Sequence, residues 1–295
     1  VTGPLEVVKL PPLMAESSGR PEIVVGLLDG PVDTTHSELS AARVRGVVGG
    51  RPAACAREDS IACRHGTFVA GILAGARGGA APGICPGCTL LVAPIFPEAA
   101  ASGRSPEALP SVAPPEVAAA LVACVDAGAR VLNVSAAFAR PAMREERELA
   151  AALDHAARRG ALVVVAAGNQ GTLGGSALTR HPWVLPVAAC DLTGRPLALT
   201  NLGHGIGRRG LSAPGAGVTS LGPEGGSLTS GGTSAAAPFV TGALALLWSR
   251  FPAAPAAAVK LAATHGSGGG RRRSVAPPVL DAWAAYHALA RLVAA

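Results

Sequence analysis

Aromatic residues make up only 3% of this 295-residue chain and charged residues only 15%. The first scarcity leaves the core to Val, Leu, Ile and Ala, packed with small residues. The second, beside a hydrophobic content of 49%, excludes a disordered chain. No apolar run reaches the length of a transmembrane helix, so no membrane partner is expected. No basic stretch followed by a long apolar run opens the sequence as a secretory leader would, and about twenty residues precede the first apolar run; this reads as cytoplasmic. No loop is dense enough in carboxylates for calcium, and neither a cofactor nor a metal is expected. Arg271, Arg272 and Arg273 form a basic run with no aromatics interleaved, so single-stranded nucleic acid is not an expected partner and the run reads as a solvated loop. The net charge of +6 is compatible with an acidic peptide but does not establish one. No repeat of solenoid length is present, and oligomeric state is not legible.

What the chain does have is alternation. Apolar runs at 23–28, 89–95, 131–134 and 161–167 alternate with helical stretches near 66–76, 116–127, 143–159 and 238–250. Strands alternating with helices predict an α/β fold in three layers, a mostly parallel central sheet with helices on both faces. The 38 glycines and 25 prolines imply many turns. Residues 97–115 and 265–278 read as loops, and a last helix is expected over about 279–293. The length suits one catalytic domain over 21–295, behind an extension of residues 1–20.

Four polar residues stand where such a fold places chemistry. Asp29 ends the apolar run Ile23–Leu28, at the carboxyl edge of a buried strand. His65 opens the helical run that carries Phe68, Val69, Ile72 and Leu73. Ser234 follows Gly231-Gly232-Thr233 and leads into an apolar helix, whose free N–H groups and dipole favour an oxyanion. A serine hydroxyl needs a neighbouring base, imidazole suits that task, and a carboxylate fixes the imidazole's tautomer. Asn169, in the turn after Leu162–Val165, can donate to a tetrahedral oxyanion together with the Ser234 N–H.

The order Asp, His, Ser resembles that of the subtilisin-like serine proteases (subtilases). The likeness covers most of the chain and rests on five segments: Asp29-Gly-Pro-Val-Asp33-Thr-Thr-His36, His65-Gly-Thr-Phe-Val-Ala-Gly, Val163-Val-Val-Ala-Ala-Gly-Asn169, Leu211-Ser-Ala-Pro-Gly215 and Gly232-Thr-Ser-Ala-Ala-Ala-Pro238. It implies a serine endopeptidase acting on a peptide or protein through an acyl-enzyme, with Asp29, His65, Ser234 and Asn169 as its catalytic residues. It also implies that Ser135, Ala136, Ala137 and Phe138 line one side of the substrate cleft and Ala166, Ala167 and Gly168 the other. The same triad would serve a peptide macrocyclase or transpeptidase if an amine replaced water, and the same cleft would serve a catalytically silent peptide-binding module.

Three departures from the family pattern stand out. Gly30-Pro31 replaces the usual Ser or Thr then Gly after the aspartate, a form that resembles the cyanobactin-maturation proteases, which process ribosomal precursor peptides. Ala235 replaces the common Met after the serine. Ala137 and Phe138 replace two glycines, which implies a narrower or reshaped cleft.

Six cysteines leave alternatives open. Cys55–Cys63 and Cys85–Cys88 can form two local disulfides, which would indicate an extracytoplasmic location. They can also stay reduced or gather as one zinc site. Cys124 and Cys190 read as buried thiols.

Overall fold

The computed structural model describes residues 3–98, 112–136, 143–268 and 274–294. Seven strands form one sheet: β1 (Val24–Asp29), β2 (Arg43–Gly46), β3 (Thr89–Pro94), β4 (Val131–Val134), β5 (Leu162–Ala166), β6 (Leu185–Cys190) and β7 (Leu211–Pro214). Their order is β2-β3-β1-β4-β5-β6-β7 and every pairing is parallel. The inner strands are apolar along their length because both faces are covered. Val25 and Leu27 of β1 belong to a core shared with the helices Ile61–Ala74 and Thr233–Arg250. Val24 and Leu28 point the other way, into a core shared with Pro114–Asp126 and Met143–Arg158. This is the three-layer α/β arrangement expected.

Chain direction across the sheet reverses at β1. The chain runs from β1 outward to β2 and β3, then crosses back to β4 on the other side of β1 and continues to β7. Loops leaving β1 and β4 therefore diverge, and a crevice opens at their carboxyl ends. Asp29 is the last residue of β1, and Ser135 and Ala136 follow β4.

Two helices bring groups to that crevice. Ile61–Ala74 starts a turn earlier than its apolar spacing suggests, because the Ser60 hydroxyl caps it by accepting from the Cys63 N–H at 3.0 Å. His65 thus lies within the helix rather than at its first residue. Thr233–Arg250 runs through the core with every residue but Arg250 buried, and Ser234 is in its first turn. A hairpin of β8 (Val218–Leu221) and β9 (Ser227–Ser230) leads into it.

Short helices at Pro4–Val7 and Leu10–Glu16 lie against the same core, with Val8, Leu10 and Leu13 fully buried. Arg77 holds this segment in place. Its guanidinium donates to the carbonyls of Met14 (2.6 Å), Ser17 (2.7 Å), Ile84 (2.8 Å) and Gly83 (3.3 Å). The last helix spans Ala282–Ala294, and the Ala282 N–H donates to the Val8 carbonyl at 2.9 Å. The basic run 271–273 lies outside the described residues.

Candidate active site

Asp29 is fully buried at the end of β1. Its Oδ1 accepts from the Gly30 N–H at 2.6 Å and from His65 Nδ1 at 2.6 Å. A carboxylate facing Nδ1 places the imidazole proton there and leaves Nε2 bare. Nε2 lies 2.9 Å from Ser234 Oγ, within reach of the hydroxyl proton. Three groups separated by 36 and 169 residues thus form one hydrogen-bonded line.

Asn169 is tied to the residue before the serine. Its Oδ1 accepts from both the N–H and the hydroxyl of Thr233, each at 2.9 Å. An amide has one oxygen and one NH₂ group, so this pins the oxygen and fixes Nδ2 on the other side. The whole amide group packs closely on Gly232. Gly232 has φ +100°, and a Cβ at that position would sit 2.8 Å from Asn169 Nδ2, so only glycine fits. The Thr233 hydroxyl also accepts from the Gly168 N–H at 3.1 Å, which ties the Asn169 turn to the serine helix. In that first turn Ala235 and Ala236 donate to the Gly232 carbonyl, while the Ser234 N–H has no acceptor among the described residues.

Residues 20–275 match the Subtilase family, most of the chain. The chain belongs to that family, one of serine-type endopeptidases. Among curated relatives of this subtilase, fervidolysin of Fervidobacterium pennivorans is 31% identical over 266 residues, covering 81% of this chain and 36% of the relative. The major intracellular serine protease of Bacillus subtilis is 30% identical, covering 82% of this chain and 73% of the relative. The chain spans between about a third and a half of the length of the first curated relatives it matches. Among solved structures, the protease domain of PatA is 30% identical with a TM-score of 0.81, covering 92% of this chain and 97% of that one. The prenylagaramide maturation protease PagA is 28% identical with a TM-score of 0.82, covering 95% of this chain and 98% of that one.

The subtilase's departure after Asp29 has a steric reason. The Gly30-Pro31 backbone lies directly against the helix that carries His65. A Cβ on Gly30 would stand 1.8 Å from the Ala62 carbonyl oxygen, and one on Gly66 would stand 2.2 Å from the Pro31 oxygen. The chain replaces a hydroxyl side chain with backbone contact, and the buried Asp29 Oδ2 keeps no hydrogen-bond partner among the described residues. The same junction is crosslinked. Cys55 and Cys63 form a disulfide, the Cys55 N–H donates to the Val32 carbonyl at 3.1 Å, and Cys63 lies two residues before His65.

The other motif residues are not in the triad. Asp33 accepts from the N–H and hydroxyl of Thr35 through Oδ1 and from the Glu224 N–H through Oδ2. His36 Nδ1 accepts from the Glu38 N–H, so Nε2 carries the proton and donates to the Gly226 carbonyl at 3.1 Å. Both residues anchor the turn of the β8–β9 hairpin and, through it, the approach to Gly232.

Of the expected cleft residues, Ser135 and Ala136 are buried just past β4, with the Ser135 N–H donating to the Leu28 carbonyl at 3.1 Å. Ala166 and Ala167 are buried at the end of β5, and Gly168 turns there with φ +106°. Ala137 and Phe138 lie outside the described residues. Sequence reasoning missed Asn201, which organises the Asn169 turn. Its Oδ1 accepts from the Gln170 and Thr172 N–H groups and from the Thr172 hydroxyl, while Nδ2 donates to the Ala167 carbonyl. It also missed a cleft of about 620 Å³ beside His65, built from residues of several distant segments.

Cys85 and Cys88 do not form the second disulfide weighed from the sequence; both are buried free thiols. The Cys85–Cys88 hydrogen bond and burial raise the Cys85 pKa and the same bond lowers that of Cys88. Burial pushes Cys124 and Cys190 up to about 12. The four-cysteine zinc alternative does not assemble. Among the described residues one trio of ligand types gathers, Cys55, Cys63 and Glu98, and its two sulfurs are bonded to each other. No described helix is long and apolar enough to cross a membrane.

Proposed function

We propose that this subtilase hydrolyses peptide bonds through an acyl-enzyme on Ser234. The observation that carries the reading is the line Asp29–His65–Ser234, at 2.6 and 2.9 Å, with the Asn169 amide oxygen bonded to Thr233, the residue before the serine. His65 Nε2 takes the hydroxyl proton as Ser234 Oγ bonds to the scissile carbonyl carbon. The oxygen of that carbonyl becomes an oxyanion held by Asn169 Nδ2 and the Ser234 N–H. The carbon–nitrogen bond then breaks, and His65 passes its proton to the leaving amine. Water, activated by the same imidazole, releases the acyl group and restores the serine. Asp29 holds the tautomer and supports the transient imidazolium.

The substrate we propose is a ribosomally made precursor peptide. Support comes from two neighbours at 28–30% identity, PatA and PagA, the latter a maturation protease by its description, and from the Gly30-Pro31 junction. The PatG macrocyclase, at 20% identity, shares the fold and adds nothing on chemistry. The Cys55–Cys63 disulfide supports an oxidising compartment over a cytoplasmic one. Mass spectrometry of a peptide library after incubation tests the reading. Linear products with new carboxyl termini, absent with Ser234→Ala, are expected. Products lighter than the corresponding linear acid by one water would show cyclisation instead, and an untouched library would refute peptidase activity.

A further inference from the structure

The cleft beside His65 has a composition that the triad chemistry does not require. Its lining is largely apolar: Phe68, one helical turn past His65, Leu197 and Leu199 from the segment after β6, and Leu228 from β9. Among its lining residues Arg64 is the one with a permanently charged side chain. That side chain is exposed and forms no ion pair or hydrogen bond among the described residues.

The reaction decides which half of a substrate meets this cleft. The leaving amine must face His65 Nε2 to receive its proton, so the chain after the scissile bond departs past His65. Ser135, Ala136, Ala166, Ala167 and Gly168, the residues expected beside the acyl half, take no part in the lining. The leaving half of the substrate therefore lies against this cleft, and we infer that this chain's own lining sets its preference: Leu197, Leu199 and Leu228 for an apolar side chain directly after the scissile bond, and Arg64 for a carboxylate further along. The inference rests on the peptidase reading above and adds a preference to it. The carboxylate can belong to an Asp or Glu side chain or to the end of a short substrate.

Peptides sharing one acyl half test this. After the scissile bond they carry Leu or Asn, then Asp or Asn, ending as free acid or amide. Rates are normalised by fluorophosphonate titration, so that only folded, active enzyme is counted. Leu over Asn at the first position is expected to raise kcat/KM about three- to tenfold. A carboxylate is expected to add about three- to fivefold, the scale of a partly exposed ion pair, and to lose that advantage in about 1 M salt. If the gain follows Asp in the amidated series, the side chain is the source; if it follows the free acid, the chain end is. Arg64→Gln should bring the acid and neutral peptides level, and Arg64→Glu should favour a Lys peptide over the Asp one. Equal wild-type rates across the series at low salt, or an acid preference that survives in Arg64→Gln, would overturn the inference. A wild-type protein that takes up no fluorophosphonate would instead refute the peptidase reading beneath it.

Discussion

Asn169 and Thr233 fix each other. The asparagine oxygen takes both donors of the threonine, backbone and hydroxyl, so the amide cannot flip without losing two hydrogen bonds, and its NH₂ group stays free to donate elsewhere. The threonine hydroxyl, in turn, is held by the Gly168 N–H. An oxyanion donor works only if it is oriented before the charge appears.

Asn169→Leu removes the donor and keeps the volume. We expect kcat to fall about 10²–10³-fold with KM little changed, the scale of losing one oxyanion donor. Thr233→Val removes the hydroxyl bond to the amide oxygen and leaves the backbone one, which loosens the amide and should lower kcat about tenfold, a cost of roughly 1.4 kcal/mol in the transition state, with partial rescue in Thr233→Ser. Steady-state kinetics on one peptide substrate checks both, and a loss confined to KM would contradict the account.

Gly30→Ser restores the hydroxyl that most subtilases carry after the aspartate. Here the new Cβ meets the Ala62 carbonyl at 1.8 Å, so the helix bearing His65 must move. We expect a loss of about 3 kcal/mol or more in urea unfolding, or failure to fold. A stable, fully active Gly30→Ser protein would refute the steric explanation of this motif.

The fold was legible in the sequence wherever an element is long or forms an unbroken apolar run. β1, β3, β4 and β5 read directly as apolar runs, and their carboxyl ends pointed to Asp29 and Asn169. β6 and β7 did not, because Pro186 interrupts the first and Ser212 and Pro214 break the second. The hairpin strand Ser227–Ser230 is polar and half-exposed, with no apolar alternation to mark it. The start of the Ile61–Ala74 helix was hidden because its signal is one capping hydroxyl, Ser60. The triad was legible because each member carries its own local motif. Asn201, Thr233 and Arg77 were not, because each acts on backbone groups brought near only by folding.

Arg77 illustrates the last point. Its guanidinium gathers four carbonyls from Met14, Ser17, Gly83 and Ile84 and so joins the N-terminal segment to the loop after the His65 helix. Arg77→Met should cost about 2–3 kcal/mol in urea unfolding. It should also expose the bonds near residues 17–20 to limited proteolysis before the rest of the chain. Unchanged stability would show that the N-terminal segment is held by its buried Val8, Leu10 and Leu13 alone.

Thiol counting separates the cysteines. Without reductant, the denatured protein should titrate four thiols, and after reduction all six. In the native state Cys124 and Cys190, with pKa values raised to about 12 by burial, should stay unreactive at pH 8, since the thiolate is the reacting form. Six thiols without reduction would remove the disulfide from beside His65.

The central claim is that Asp29, His65 and Ser234 act as one nucleophilic unit, and labelling by a fluorophosphonate probe measures it most directly. The account predicts a single adduct on Ser234, mapped by mass spectrometry, with labelling abolished in Ser234→Ala and slowed at least about 10³-fold in His65→Ala. An adduct on another residue, or equal labelling of His65→Ala and the wild type, would contradict it.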